Sequence, residues 1–471
     1  METSIFRMTA ATPPSQHRVV AEARALGRLA APIALAQLGL MMMALVDTAV
    51  LGRVSEVDLA AAALGRNIGF AAQTLSMGLA MALEPLASQA VGAGDERRAW
   101  RALEATLQTI AITWVPTILA ALAVTLVLPS IGVSHDVVSR TRQFLVAWAP
   151  GLLAFPCFIA AKTFLQAHTR TRPALVAAVV ANAVNVVACN LLVRGDDALV
   201  AVGLRPIGLP RLGALGSGLA LTIAGTLLAA MVLRASWSMR PASLEGSPAV
   251  SRREVVRMGL PGSAHLLAEV GVFALVSVLT GHFGAAVVSA NQIALGLASF
   301  TFMGALGVSG AAAVRVGHCV GRSDREGARR SGLTGIALGA AWMAAGAILF
   351  ATTPEALVRI FTHDPEVVAV GAALVRIAAV FQLFDGMQCV GAGALRGAGD
   401  VRFAFAGGAV SYWVVGLPLA LFFGFVRARG AVGMWWGLSA SLIVAAMVFL
   451  VRFLWLTRGR DPLFRPATAL D

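Results

Sequence analysis

Four carboxylates interrupt otherwise apolar runs in this sequence: Asp47, Glu84, Glu269 and Asp385. An acid at the centre of a membrane-length run costs ~2.5–3.5 kcal/mol on the insertion scale, so leucine would serve stability better. Acids kept in such places face wet cavities and hold protons, ions or cationic substrates. The plainer alternative is a hydrogen-bonded clamp between helices or, for Glu84 near the end of its run, a place close to the headgroups. Neighbours at helical spacing extend the pattern. His265 lies one turn before Glu269 on the same face, and Gln382 and Gln388 flank Asp385 at three residues on either side. Met43 shares a face with Asp47 and offers a soft surface for varied apolar ligands, unless it serves only packing. Arg376, nine residues before Asp385, is half a turn away in angle and badly placed to pair with it.

Covalent and metal chemistry have no comparable footing. Cys157, Cys189, Cys319 and Cys389 are dispersed with no CxxC, and the seven histidines show no HExxH spacing. The stretch Gly391 to Gly397 misses the GxGxxG spacing by one residue and ends a long apolar run rather than a strand. No Walker sequence is present, which excludes ATP-driven transport by this chain alone. No cofactor is expected.

The elements that position these acids follow from composition. Of 471 residues, 58% are hydrophobic and 13% charged, against ~45–50% and ~25% in soluble domains. The chain is therefore read as an all-α polytopic membrane protein. Apolar runs fall at 29–52, 62–91, 104–128, 143–166, 173–193 and 213–235, then at 259–281, 286–314, 331–352, 367–394, 403–426 and 431–456. The polar stretch from Ser236 to Arg257 divides six from six. The layout is an N-terminal segment 1–28, a first lobe 29–235, a linker 236–257, a second lobe 258–456 and a tail 457–471.

The net charge of +13 is almost all arginine, with Lys162 the sole lysine, and no basic helix with interleaved aromatics is present. Nucleic acid is not an expected partner. About 25 basic residues fall on one side of the spans and about 10 on the other, which places both termini in the cytoplasm. The first apolar run is one of many, so no cleaved signal peptide is expected.

The halves also repeat. At an offset of 229, Arg28 matches Arg257, Pro32 matches Pro261, Gly78 matches Gly307, Gly92 matches Gly321 and Asp95 matches Asp324. Six spans per repeat relate the lobes by a pseudo-two-fold axis along the membrane normal, an arrangement of secondary transporters with a midplane cavity. The acids break this symmetry, since Asp47 corresponds to Val276 and Glu269 to Leu40.

In order along nearly the whole chain, several segments carry a resemblance. They are Pro32 through Val46-Asp47-Thr48, Ala87-Ser88-Gln89-Ala90-Val91-Gly92, Gly259-Leu260-Pro261 with Glu269-Val270, Ala290-Asn291-Gln292-Ile293, and Asp385 with Gln388 and Ala394-Leu395-Arg396-Gly397. Together they resemble the multidrug and toxic compound extrusion family in its bacterial NorM-type branch. The resemblance implies a V-shaped pair of six-helix lobes and rocker-switch export of organic cations in exchange for Na+ or H+. It implies Asp47 as the N-lobe acid and Glu269 with Asp385 as the C-lobe pair, the latter two as possible Na+ ligands. Asp47, Glu269, Asp385, Gln292, Gln382, Met43 and Asn185 are the expected substrate contacts.

Departures are visible. Asn185 is followed four residues later by Cys189, Leu221 stands where the sixth helix usually has threonine, and Phe381 occupies a tyrosine position of sodium-using relatives. The expected setting is the cell (inner) membrane, multi-pass, with the chain acting as a monomer on small organic cations or drugs. A lipid-linked saccharide flippase would need a strongly basic cavity, yet the intramembrane basic residues read from sequence are essentially Lys162 and Arg376. A membrane-embedded enzyme would need metal ligands or a nucleophile–base pair that no spacing provides.

Overall fold

A computed structural model describes residues 15–459 apart from 202 and 247. Arg7 and the arginines past residue 459, counted among the basic residues of the cytoplasmic side, lie outside the described residues. The first half comprises α1 (Ser15–Leu51), α2 (Glu56–Met81), α3 (Leu83–Gly92), α4 (Glu96–Val127), α5 (His135–Ala167), α6 (Arg172–Arg194), the short α7 (Asp196–Ala201) and α8 (Gly213–Trp237). The second comprises α9 (Arg252–Leu279), α10 (Ala285–Gly321), α11 (Arg325–Thr352), the short α12 (Pro354–Arg359), α13 (Pro365–Ala398), α14 (Val401–Ala409), α15 (Leu417–Leu421) and α16 (Gly430–Arg458).

Eleven helical runs among the described residues are long and apolar enough to cross a membrane. The twelfth expected span, 62–91, is divided between α2 and α3 at Ala82. Pro85 explains the break: it lacks an N–H, and its ring crowds the carbonyl four residues back, at Met81. Arg66, Asn67 and Gln73 make this crossing the most polar of the set. The span from 401 to 426 is irregular for a related reason. Around Pro418 the helix widens into π turns at Val410–Gly416 and Phe422–Val426.

Each half buries its own core. One cluster draws only on residues from Val272 onward, among them Tyr412, Trp435 and Phe449. Two others draw on α1 to α8, joined by Val255. The turns preceding α4 and α11 are closed identically: Asp95 accepts the Arg98 N–H and Asp324 the Gly327 N–H, both at 2.8 Å.

The contacts between halves obey the 229-residue offset. α1 packs on α10 while α2 packs on α9, an exchange that a two-fold axis requires. Gly307 admits Ala34 and the Ala30 carbonyl, and its counterpart Gly78 admits Ser263, the counterpart of Ala34. Gly92 meets His318 while Gly321 meets Gln89, again an exact exchange of partners. Gly317 faces Ser88, its own equivalent, so the axis passes beside that pair. A Cβ on Gly307 would sit 2.7 Å from both the Ala30 carbonyl oxygen and the Ala34 Cβ. Gly307→Val is therefore expected to cost about 1–3 kcal/mol through overpacking, read as a lower melting temperature in detergent.

The seam between the lobes is closed at one end. Glu22 accepts from Arg315 Nε at 2.9 Å and from Ser331 Oγ at 2.7 Å, and Glu84 accepts from Arg396 Nε at 2.8 Å. Gln89 donates to the Gly397 carbonyl at 3.0 Å, and Ser263 donates to the Leu75 carbonyl at 2.9 Å. Among the described residues, no hydrogen bond or ion pair joins the lobes beyond the level of Ser263, toward the end where α1 terminates. The lobes thus meet at the end carrying the Asp95 and Asp324 turns.

Candidate functional site

The second lobe brings Glu269 and Asp385 to one amide. Gln388 Nε2 donates to Glu269 Oε1 at 2.9 Å and to Asp385 Oδ1 at 3.3 Å. Tyr412, the only tyrosine in the chain, donates its hydroxyl to Gln388 Oε1 at 2.9 Å. That bond fixes which end of the amide faces the acids, because the oxygen is occupied and the two N–H hydrogens remain for the carboxylates. Tyr412 reaches the group from the π turn at Val410–Gly416. His265 lies one turn from Glu269, with Nε2 3.9 Å from Oε2, and Gly408 leaves room for its ring.

This cluster opens on a cavity of about 140 Å³ lined by His265, Glu269, Gln388 and Arg396, with Met81 of the first lobe and Phe302 completing its apolar wall. Two half-buried carboxylates sharing one amide repel each other until a proton or a cation joins them. The two carboxylates supply the charged oxygens of the group, donors suited to a proton or a hard cation. Among the described residues no cluster of three or more His, Cys, Asp or Glu side chains is placed to hold a metal ion.

Gln382 does not join. Its side chain is buried against Gly346 of α11, and neither amide atom has a hydrogen-bond partner. Gln292 is exposed on α10 and also stands apart, while its neighbour Asn291 is buried, donating to Ser277 Oγ and accepting from Trp435.

The first lobe holds a second polar group. Asp47 is fully buried on α1, with Asn185 Nδ2 of α6 at 3.5 Å and Ser217 Oγ of α8 at 3.3 Å. Asn185 also donates to the Met43 carbonyl at 3.4 Å, whereas the Met43 side chain packs inside the first-lobe core. Cys189, one turn beyond Asn185, is buried on the same side of α6 against the Asp47 group. Arg66 of α2 brings Nη1 to 4.0 Å from Asp47 Oδ2 and donates through Nη2 to Thr48 Oγ1 at 3.0 Å.

The inventory of intramembrane basic residues needs correction. Arg376 is exposed and meets Glu355 of the short α12 at 3.4 Å, away from the buried acids. Arg66 and Arg396 belong within, each opposite an acid. Lys162 is buried as expected, beneath Gln37 Oε1 at 3.5 Å and over the Phe158 ring. Arg66 carried a signal, a lone arginine inside an apolar run. Tyr412 carried none beyond being the single tyrosine.

The comparisons with known proteins concern the family and the fold. The family model described as MatE matches residues 32–191 and 261–422, one copy per lobe. The chain is 35% identical to "Probable multidrug resistance protein NorM" of Bradyrhizobium diazoefficiens, over 92% of this chain and 93% of that one. It is 30% identical to "Multidrug resistance protein NorM" of Vibrio cholerae, over 94% and 98%. The fold superposes on the Vibrio cholerae MATE transporter VcmN in its bent form with TM-score 0.83, at 18% identity, covering 96% of this chain and all of that one. It superposes on the eukaryotic MATE transporter AtDTX14 with TM-score 0.81, at 20% identity, covering 93% and 96%.

Proposed function

Because the chain belongs to the MatE family, we propose that it is a multidrug efflux transporter that exports amphipathic organic cations in exchange for inward Na+ or H+. The observation that carries this reading is the Glu269–Gln388–Asp385 group opening on a cavity beside the lobe seam. The acids accept either the coupling ion or the drug, and competition between them is the coupling. The lobes, 29–235 and 258–456, rock about the site, with the linker 236–257 and both termini on the cytoplasmic face of the cell membrane. A single chain suffices. The closed seam then lies on the cytoplasmic side, and the conformation faces outward.

In the first lobe Asp47 is the partner acid. Arg66 already offsets part of its charge, which leaves a weaker field for Na+ there than at the second-lobe pair. Asp47→Asn is accordingly expected to preserve membrane insertion and to lower efflux less than loss of Glu269 does, measured as the initial rate of ethidium release. Equal loss in the two variants would put Asp47 on the same footing as Glu269. The flippase reading is not favoured, because Arg66 and Arg396 each face an acid and the second-lobe cavity carries the carboxylate of Glu269, with Asp385 behind it on the same amide.

The test is ethidium transport in proteoliposomes under a sodium gradient alone and a pH gradient alone. Transport under either supports antiport and identifies the ion. Transport under neither would overturn the reading.

A further inference from the structure

A second cavity, of about 810 Å³, lies at the closed end of the seam, where α1, the start of α6 and α10 come together. Arg28 of α1, Arg170 and Arg172 at the start of α6, and Arg315 of α10 line it, and no acid does. Arg315 is engaged by Glu22 at 2.9 Å. The guanidinium groups of Arg28, Arg170 and Arg172 have no hydrogen-bond or ion-pair partner among the described residues.

The 23-residue α6 opens into this wall at Thr171, Arg172 and Pro173. Its first turn holds no acid, and Thr171 makes no side-chain cap, so the unpaired N–H groups add positive potential to that of the arginines. Orientation preference alone places arginines at cytoplasmic ends. It does not set where they converge: three exposed, unpaired arginines line one concavity with Arg315, whereas Arg98 pairs with Glu254 and Arg452 with Asp400 at the same end.

We infer that this cavity is a phosphate-binding site, the chemistry being a phosphate group held by forked guanidinium donors and a helix N-terminus. The group comes either from an anionic phospholipid headgroup at the membrane edge or from free phosphate. Three of its donors belong to the first lobe and Arg315 to the second, so a bound phosphate bridges the lobes beside the Glu22–Arg315 pair and favours the closed seam.

The test uses the full-length protein in neutral detergent, with dioleoyl phosphatidylglycerol, dioleoyl phosphatidylcholine and inorganic phosphate as probes. Retention by native mass spectrometry and the melting temperature are the readouts. Phosphatidylglycerol is expected to bind saturably and raise the melting temperature while phosphatidylcholine does neither. The R28Q/R170Q/R172Q variant should weaken binding roughly 100-fold and a single change such as R170Q about fivefold, the single change also serving if the triple variant fails to fold. A control variant, R234Q/R252Q/R253Q, removes exposed charge at the same end and should bind as wild type does. Millimolar inorganic phosphate that binds and displaces the lipid identifies a soluble anion as a ligand; phosphate without effect beside a binding lipid identifies the headgroup. Equal retention of both lipids by the wild type, unchanged binding in R28Q/R170Q/R172Q, or an equal loss in the control would overturn the assignment.

Discussion

Glu269→Gln is expected to insert and fold normally and to lose gradient-driven efflux of an organic cation almost completely. The substitution is nearly isosteric, and a glutamine carbonyl still accepts the 2.9 Å bond from Gln388 Nε2, so the scaffold is kept. What disappears is a negative charge facing a small cavity whose walls are largely apolar. Removing one member of a desolvated charge pair costs about 2–5 kcal/mol, which is roughly 30-fold to 4,000-fold in affinity for the cation. Asp385→Asn should behave alike, since the two acids share one amide and act as a unit. Tyr412→Phe is expected to fall between these and wild type: the charges remain, but Gln388 is free to turn its oxygen toward the acids. The measurement is the initial rate of ethidium efflux from proteoliposomes, with the melting temperature of each variant as the folding control. Wild-type rates in Glu269→Gln would remove the second-lobe acids from the mechanism.

The parts of this site that sequence made visible are those whose cost is local. An acid in an apolar run stands out against its neighbours whatever the fold, so Asp47, Glu269 and Asp385 could be singled out without knowing what faces them. The repeat was visible for a similar reason. Gly78 and Gly307 recur because two helices approach too closely there for any side chain, and the backbone geometry imposes that on both copies. Contacts across the lobes were not visible. Glu84 and Arg396 stand 312 residues apart, and nothing near either reports the other. The polar stripe around Asp385 failed by geometry: Gln382 and Gln388 are six residues apart, about 120° around a helix. One of them consequently faces α9 and the other α11. The break at Ala82 was legible in Pro85, yet an apolar run with one proline reads equally well as a kinked single helix, as α1 with Pro32 shows.

Arg396→Gln is expected to produce the largest loss of stability, and to do so by loosening the seam rather than a core. The Arg396 and Glu84 side chains are 12% and 14% exposed, and their 2.8 Å bond joins α13 of one lobe to α3 of the other. With the guanidinium gone, Glu84 loses its hydrogen-bonded ion-pair partner in a poorly hydrated place, with only the more distant Lys162 left to offset its charge. Breaking a buried pair from one side costs about 3–5 kcal/mol, whereas replacing both partners by neutral groups is far milder. Glu84→Gln combined with Arg396→Gln should therefore recover most of the loss, an amide pair spanning the same gap without charge. Since the pair bridges the lobes, the cost falls on the conformation closed at that end and shifts the balance toward its opening. Hydrogen exchange of segments 83–92 and 309–321 is expected to rise in Arg396→Gln and to return toward wild type in the double variant, in step with the melting temperature. A single variant that melts and exchanges as wild type does would show that the seam is held by its close glycine contacts alone.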